Sequence, residues 1–163
     1  GLRSNSHTTT HPTASTAAGF DNLTTDALSA TALATARVQM VGFRDDAGNR
    51  MSVVPDEILI PPDLYEEAYE IVSSMGKVDT ANNNRNVHEG AYRVIEWNYL
   101  TDANNWFIHD SAQRREQLMW IERIPREFAF VEDFDTLNAK WRGYARYANM
   151  FWNWRWALGA QVS

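Results

Sequence analysis

The chain has 163 residues, which is enough for a single domain with a buried core. It contains no cysteine, and this excludes disulfide frameworks, thiol catalysis, iron–sulfur clusters and zinc sites with sulfur ligands. The formal net charge of −6 argues against a dedicated nucleic-acid-binding protein, and no apolar run approaches the roughly 20 residues of a membrane span.

Charge and tryptophan are unevenly distributed along the chain. Residues 44–90 carry four basic and ten acidic side chains, whereas no acid follows Asp135. Four of the seven tryptophans follow residue 140, interleaved with Lys140 and three arginines. The acidic middle and the basic, aromatic end are either solvated faces of opposite sign or surfaces that attract each other between copies of the chain.

The first third of the chain predicts an irregular lead followed by one helix. Residues 1–22 are rich in Thr, Ser and Ala and have no apolar periodicity, which indicates a loop or an arm. Thr24 or Thr25 is the predicted N-cap of a helix that extends to Val41. A turn at Asp45–Asn49 is predicted to join the two strands of a short hairpin within residues 41–54.

The middle of the chain predicts strands around a second helix. Ile58–Ile60 has the composition of a short buried strand. Apolar residues at helical spacing from Leu64 to Met75 predict an amphipathic helix that ends at Gly76. Two further strands are predicted at Tyr92–Trp97 and Trp106–His109.

The last third predicts strands only, so the fold class is α+β. Gln117–Ile124 and Phe128–Val131 are predicted as two strands broken at Pro125. The alternation of aromatic and basic residues over about 137–158 predicts a long β-hairpin that turns near Ala148–Asn149.

This hairpin contains the candidate interaction residues. Its tryptophans at alternating positions would form one apolar face, which is typical of a core or a subunit interface. The predicted interface residues are Arg142, Arg146, Trp152, Trp154, Arg155 and Trp156.

Nothing in the sequence predicts a catalytic, cofactor-binding or metal-binding residue. His7 and His11 are four residues apart, but the threonines between them and Pro12 disfavour the helix that would bring them together. His109-Asp110-Ser111 has the residue types of a hydrolase triad, yet adjacent residues cannot converge on one point. Glycine-rich phosphate loops and nucleophile elbows are absent from the sequence.

Several segments, in order, resemble the major capsid proteins of tailed double-stranded-DNA bacteriophages. The similarity runs from about Leu23 to Gly159. It is carried by Ile58-Leu59-Ile60-Pro61-Pro62-Asp63-Leu64 with Ala68, Ile71 and Ser74, by Leu28–Leu33 through Gly48, by the Asn-rich loop Asn82–Asn86, by Tyr92–Trp97, by Leu100-Thr101-Asp102, by Trp106-Phe107 and by the late Trp154-Arg155-Trp156.

The resemblance implies the Hong Kong-type capsid fold, with an axial domain and part of a peripheral domain. The expected organisation is a flexible lead or arm at 1–22 and a capsid domain at 23–163. Within that domain, the axial part covers about 23–130 and the closing hairpin about 137–158. Because the family's chains are usually longer, the match is expected to be to their carboxyl-terminal portion.

The resemblance also implies a structural role without enzymatic activity. Family members assemble as pentamers and hexamers into an icosahedral head that encloses double-stranded DNA. The expected partners are other copies of the chain, with scaffold, portal or decoration proteins as further ones, and the expected location is the virion, assembled in the host cytoplasm. Neither a cofactor nor a membrane is expected.

Three different functions remain open from the sequence. A bacterial nanocompartment shell would have the same fold and enclose enzymes in place of DNA. A small hydrolase would use His88 or His109 with Asp102 or Asp110. A nucleic-acid-binding module would use Arg142, Arg146 and the tryptophan face.

Overall fold

The computed structural model describes Arg3 and residues 21–76, 84–133 and 135–162. Most of the predicted lead at 1–22, with His7 and His11, therefore lies outside the described residues. The fold class is α+β, as predicted. Within the described residues the helices are α1 (Ala30–Val41), α2 (Tyr65–Ser73) and α3 (Ser111–Gln117), and the strands are β1 (Leu23–Thr24), β2 (Glu57–Ile60), β3 (Arg93–Glu96), β4 (Phe107–His109), β5 (Leu118–Glu132), β6 (Ala139–Phe151) and β7 (Ala157–Ala160).

A mixed five-stranded sheet forms the centre of the fold. Its strand order is β1-β7-β4-β2-β3, with β1 parallel to β7, β2 parallel to β3, and antiparallel pairing between β7, β4 and β2. Ile58, Ile108 and Leu158 are directly opposite one another across three strands and are fully buried. Burial of each such side chain contributes about 1.5–3 kcal/mol relative to its exposure. Residues of α1 and α2 belong to the same hydrophobic core.

Helix α1 begins later than the sequence predicts. Ser29 is its N-cap, and the Ser29 hydroxyl accepts a hydrogen bond from the Ala32 backbone N–H. The predicted cap at Thr24 or Thr25 is wrong because Thr24 belongs to β1 and pairs with Ala160 in β7. Thr24 could cap a helix locally, but it pairs instead with a strand residue far along the chain.

Helix α2 and strands β2, β3 and β4 confirm the predictions for the middle of the chain. A 3₁₀ turn at Pro62–Leu64 precedes α2, which buries Ala68, Ile71 and Val72. The helix ends at Ser73 and not at Gly76, because the Asn86 side chain donates hydrogen bonds to the carbonyls of Ile71 and Ser74. Asn86, which lies beyond the following loop, therefore satisfies backbone carbonyls at the carboxyl end of α2.

The predicted hairpin within residues 41–54 is reduced to a single bridge between Arg44 and Arg50. The turn between them is present, with Gly48 at a φ of 85°. Helix α3 has no counterpart among the sequence predictions. Asp110 caps it by accepting a hydrogen bond from the Gln113 N–H, so the predicted strand from Gln117 is preceded by a helix.

The largest difference from the sequence predictions concerns the last third of the chain. One strand, β5, covers both segments predicted as separate strands, and its partner is β6. Strand β5 has two register irregularities, one between Glu122 and Ile124 and one between Ile124 and Glu127, and the second contains Pro125. A bulge accommodates a proline because it removes the need for a ladder N–H at that position.

The predicted hairpin at about 137–158, with its turn at Ala148–Asn149, is wrong. Ala148 and Asn149 lie within β6, opposite Ile121 and Trp120, and the turn of the observed hairpin lies between Glu132 and Ala139. The chain leaves β6 at Phe151 and enters the core sheet as β7. Aromatic alternation correctly predicted extended structure here, but alternation within one strand does not specify its partner.

Candidate interaction surface

Strands β5 and β6 form a two-stranded antiparallel ribbon that is separate from the core sheet. Every residue of β6 is exposed, and in β5 only Ile124 and Ala129 are half-buried. A two-stranded ribbon with open faces is only marginally stable in water, and neither face of this one is covered by the rest of the described chain. We call residues 118–132 and 139–151 the ribbon.

The ribbon presents two chemically different faces. Side chains alternate between the faces along each strand. Between Glu122 and Glu127 on β5, and between the partners Tyr147 and Tyr144 on β6, β5 contains two extra residues. One extra residue would move the following side chains of β5 to the other face, and a second extra residue moves them back. Each face of the ribbon therefore continues from its base to its tip.

The aromatic face carries large rings along most of the ribbon. The Trp120 and Tyr147 rings stack with centroids 4.5 Å apart, and the Phe130 and Trp141 rings lie 4.6 Å apart at directly opposite positions. Phe128 lies over Gly143, where a Cβ atom would be 3.4 Å from the Phe128 ring. The members of the aromatic face are Leu118, Trp120, Phe128, Phe130, Trp141, Tyr147 and Phe151.

An open concavity of about 350 Å³ interrupts the aromatic face at the bulges. It lies where β5 contains its extra residues, and Glu122 and Arg126 place opposite charges in it. Its lining residues are Trp120, Glu122, Ile124, Arg126, Ala145 and Tyr147. This concavity is a shallow surface feature of the ribbon, and its lining contains no histidine or serine.

The opposite face of the ribbon is basic in its outer half. Lys140, Arg142, Tyr144 and Arg146 alternate on β6 and therefore share this face, which we call the cationic face. The acid Glu127 of β5 lies on the same face, directly opposite Tyr144. Lys140 forms an ion pair with Asp133 at 2.8 Å. Among the described residues, no ion pair within 4.0 Å involves Arg142 or Arg146.

The base of the cationic face is apolar. Met119 and Met150 are directly opposite each other there, followed by Ile121 opposite Ala148. The Trp152 indole N–H donates to the Met119 sulfur, so Trp152 extends this apolar base while remaining two-thirds exposed. Exposed apolar area on a strand pair is typical of a surface that a partner covers.

Helix α3 anchors the entry to the ribbon, because β5 follows it without a break. Asp56 accepts hydrogen bonds from the Ser111 N–H and the Ser111 hydroxyl, and Asp110 accepts one from the Val54 N–H. The buried Glu57 carboxylate pairs with Arg93 of β3 and with Arg114 of α3, the latter at 2.8 Å. These contacts hold α3 against the segment that leads into β2.

Arg155 anchors the exit from the ribbon. Its guanidinium pairs with Asp46 at 2.9 Å, donates to the Arg44 carbonyl and lies 4.7 Å from the centre of the Trp154 ring. Trp154 in turn makes an edge-to-face contact with Phe43, with ring centroids 5.1 Å apart. Both ends of the ribbon are thus fixed to the core.

The structure separates the six residues that the sequence predicted as one interface. Arg142 and Arg146 are exposed together on the cationic face, and Trp152 lies at the base of the ribbon. Trp154 is half-buried against Phe43. Arg155 and Trp156 are buried within the chain, and the predicted single face of Trp152, Trp154 and Trp156 is wrong because these residues connect β6 to β7.

Most of the aromatic face was not predicted from the sequence. The pattern predicts strands that contain Trp120, Phe128 and Phe130, but it does not predict a surface formed by them. The available signal was that β5 is apolar at successive positions on both faces although it is long and interrupted by proline. A strand with those features fits poorly in a sheet interior.

The residues considered for a hydrolase do not form a triad. The Ser111 hydroxyl donates to Asp56, and Asp110 caps α3. His109 is buried against Trp156, with ring centroids 5.1 Å apart, and its Nδ1 has no hydrogen-bond partner among the described residues. Burial lowers the pKa of His109 to about 4; the charge of Arg114 also lowers it, while Asp56 opposes the shift.

The remaining hydrolase candidates, His88 and Asp102, have structural contacts. The His88 ring lies 5.9 Å from the Tyr92 ring, and the Asp102 carboxylate accepts a hydrogen bond from the Asn104 N–H. Among the described residues, no group of three or more His, Asp or Glu side chains is arranged to hold a metal ion. No helix in the described part of the chain is sufficiently long and apolar to cross a membrane.

Comparison with known proteins identifies a family. A family model described as phage capsid protein matches residues 2–159, which is nearly the whole chain. No curated protein matches the chain.

Proposed function

We propose that this chain, which belongs to the phage capsid protein family, is the major capsid protein of its phage. Membership of the family gives it a structural role as a component of the virion. The proposal goes further: copies of the chain assemble themselves, in the host cytoplasm, as pentamers and hexamers of an icosahedral head around double-stranded DNA, using the Hong Kong-type fold. Scaffold, portal and decoration proteins are its proposed further partners.

The observation that carries the proposal is the exposed aromatic face of the ribbon. Trp141 is 76% exposed and Phe128 is 80% exposed, although both are among the most apolar side chains available. Solvent exposure of so many rings is unfavourable in a monomer, and aromatic residues together with arginine are enriched at subunit contacts. A shell in which each ribbon lies on neighbouring subunits would cover both of its faces.

The arrangement of the two faces argues against a nucleic-acid-binding module. Proteins that bind single strands place stacking rings and phosphate-binding cations in one groove. Here Trp141 and Phe130 lie on one face, whereas Arg142 and Arg146 lie on the other, where Tyr144 is the single ring between them. A base stacked on Trp141 would place its phosphate away from these arginines.

A hydrolase and a nanocompartment shell receive less support than a phage capsid. A hydrolase would need its acid, base and nucleophile to converge, and Asp110 and Ser111 instead hold α3 in place. The family match is to phage capsid proteins, so the nanocompartment shell is not favoured. The contents of purified particles distinguish the two shells, because a head contains DNA and a nanocompartment contains protein cargo.

The test is electron microscopy of the purified chain, with sedimentation and nuclease-protected DNA as further readouts. We expect uniform shells from the wild type. We expect Trp141→Ser to reduce their yield about tenfold or more, since central aromatic residues dominate contact energies. Tyr99→Ser is the matched control because Tyr99 is an exposed ring outside the ribbon.

Two results would contradict the proposal or its stated basis. A wild-type chain that stays monomeric at high concentration, alone and with phage lysate, would contradict a shell-forming role. Normal shells from Trp141→Ser and Phe130→Ser would show that the aromatic face does not make the contact. Trp141 is exposed, so its replacement is expected to leave the melting temperature of the monomer nearly unchanged.

A further inference from the structure

The exposed side of α2 is strongly acidic. Glu66, Glu67 and Glu70 are exposed on α2, and Asp63 is exposed in the 3₁₀ turn before it. The buried residues of α2 are all apolar, so the acids cover the side of the helix that faces away from the core. We call Asp63, Glu66, Glu67 and Glu70 the acidic helix face.

The acidic helix face lacks a counter-charge in the described part of the chain. None of the ion pairs there involves Asp63, Glu66, Glu67 or Glu70. Partial burial raises the pKa of Glu67, and the like charge of Glu70 raises it further. A cation brought from outside would therefore relieve an existing repulsion.

Two tyrosines border the acidic helix face on the side of Glu66, which precedes Tyr69 by three residues. Tyr65 and Tyr69 are about half-exposed, and their rings stack with centroids 6.1 Å apart. A guanidinium group pairs with carboxylates and also stacks on aromatic rings. Arginine suits this surface better than lysine for both reasons.

The spacing of the acids matches the spacing of the unpaired arginines on the ribbon. Asp63, Glu67 and Glu70 follow a helical spacing of four and three residues, which places them on one side over about 10 Å. Arg142 and Arg146 are four strand residues apart on the cationic face, or about 13 Å. Long side chains easily accommodate the difference of about 3 Å between these two lengths.

We propose that the cationic face of one copy's ribbon docks on the acidic helix face of a neighbouring copy, with Arg142 and Arg146 placed against the row formed by Asp63, Glu67 and Glu70. This inference rests on the proposed function, since it names the partner surface of the same ribbon. The occupant is a second copy because each copy carries both complementary surfaces, the acids on α2 and the arginines on β6, and no ion pair in the described residues joins them within one chain.

The symmetry of this contact agrees with a ring-shaped assembly. The two surfaces are different patches of the same chain, so the contact is heterologous and each copy uses both patches. Repetition of a heterologous contact with a closing rotation gives a ring. The aromatic face stays available on the opposite side of the ribbon for a second contact.

The test is a charge-exchange cycle in the full chain. Arg142→Glu with Arg146→Glu is expected to lower shell yield at least about tenfold, and Glu67→Lys with Glu70→Lys is expected to do the same. The four changes together restore opposite charges across the contact, and we expect the yield to return to within about threefold of wild type. Glu96→Lys is the control, because Glu96 is an exposed acid on β3 outside the acidic helix face.

The outcomes separate this inference from the proposed function. A wild type without shells contradicts the proposed function. Wild-type shells together with normal shells from both charge-reversed variants contradict the docking inference alone. Failure of the four-fold variant to recover, with its monomer still folded by circular dichroism, also contradicts the docking inference.

A milder pair of variants guards against misfolding. Arg142→Gln with Arg146→Gln, and Glu67→Gln with Glu70→Gln, remove the charges without creating repulsion. Each pair is expected to raise the concentration needed for assembly about threefold or more, with the effect diminishing at high salt because the attraction is screened. Assembly that is independent of both pairs of substitutions overturns the docking inference.

Discussion

The core sheet and the ribbon both contain tryptophan, but the core buries it and the ribbon exposes it. Trp106 precedes β4, is fully buried, and donates its indole N–H to the Asp26 carbonyl at 3.1 Å. Trp141 lies in the ribbon with most of its ring in solvent. Burial of the first ring stabilises the fold of this chain, whereas the second ring leaves its apolar surface exposed.

The two regions differ because only the core has layers on both sides. All four residues of β2 and all four of β7 are buried, so other parts of the chain cover both faces of those strands. In the described part of the chain, the ribbon has two strands and no helix packed on either face. Strand propensity and apolar content therefore do not by themselves lead to burial, because a covering layer is also needed.

The largest expected effect comes from exchanging a tryptophan in each region. Trp106→Ala is expected to lower the free energy of unfolding by about 3–5 kcal/mol, because it leaves a large cavity in the core. Trp141→Ala is expected to change it by less than about 0.5 kcal/mol. Urea unfolding of the two variants as monomers measures both values, and equal losses would remove the distinction between core and ribbon.

The stability of the core is expected to depend on pH through the buried His109, whereas the ribbon contains no histidine. The pKa of His109 is lowered to about 4 in the fold, so its neutral form is favoured and the folded chain binds fewer protons than the unfolded chain. Stability is therefore complete above about pH 6.5 and falls by up to about 3 kcal/mol as the pH drops towards 4. His109→Gln is expected to flatten this dependence, measured as the melting temperature between pH 7 and pH 4. An unchanged slope would show that other groups cause it.

Removal of one ion pair from each region is expected to give a smaller difference in the free energy of unfolding. Glu57→Gln is expected to cost about 1–3 kcal/mol, since Glu57 is buried and holds both Arg93 and Arg114. Asp133→Asn removes the partner of Lys140 in the exposed turn of the ribbon, and a much smaller loss is expected because water screens that pair. Chemical denaturation of both variants tests the order, and the reverse order would contradict it.

The last substitution, Glu67→Gln, is expected to stabilise the folded monomer slightly and to weaken assembly. Glu67→Gln removes a like-charge contact with Glu70 and is expected to stabilise the monomer by about 0.2–0.5 kcal/mol. The same change is expected to weaken shell formation, because it removes a proposed partner of the ribbon arginines. Melting temperature and shell yield measured on one preparation provide the test. A gain in both would show that the acid has no role in assembly.

The elements that the sequence predicted correctly are those determined by short-range patterns. Helix α2 has apolar residues at helical spacing and a proline before its first turn, and both signals act within a few residues. The buried strand β2 is a short apolar run that ends at Pro61. The α+β order and the family resemblance likewise depend on segments read one at a time, and the family match agrees with the resemblance.

The candidate surface was predicted only in part, because its geometry depends on distant residues. Arg142 and Arg146 were identified from composition, yet their separation from Trp154 and Trp156 depends on where β6 ends. That end is determined by β7, which pairs with both β1 and β4, more than 45 residues away in the chain. The pairing of Phe130 with Trp141 similarly depends on two bulges around Pro125.

The uneven distribution of charge and rings, with an acidic middle and a basic, aromatic end without acids, is visible in the amino-acid sequence alone. Which of those rings are exposed depends on the tertiary structure. Trp156 entered the core because β7 completes a sheet there, whereas Trp141 stayed outside because β5 and β6 satisfy each other's backbone hydrogen bonds without a covering layer. Hydrogen-bond pairing and burial are both non-local, so the number of tryptophans could not distinguish the rings that are buried in the core from those that stay exposed.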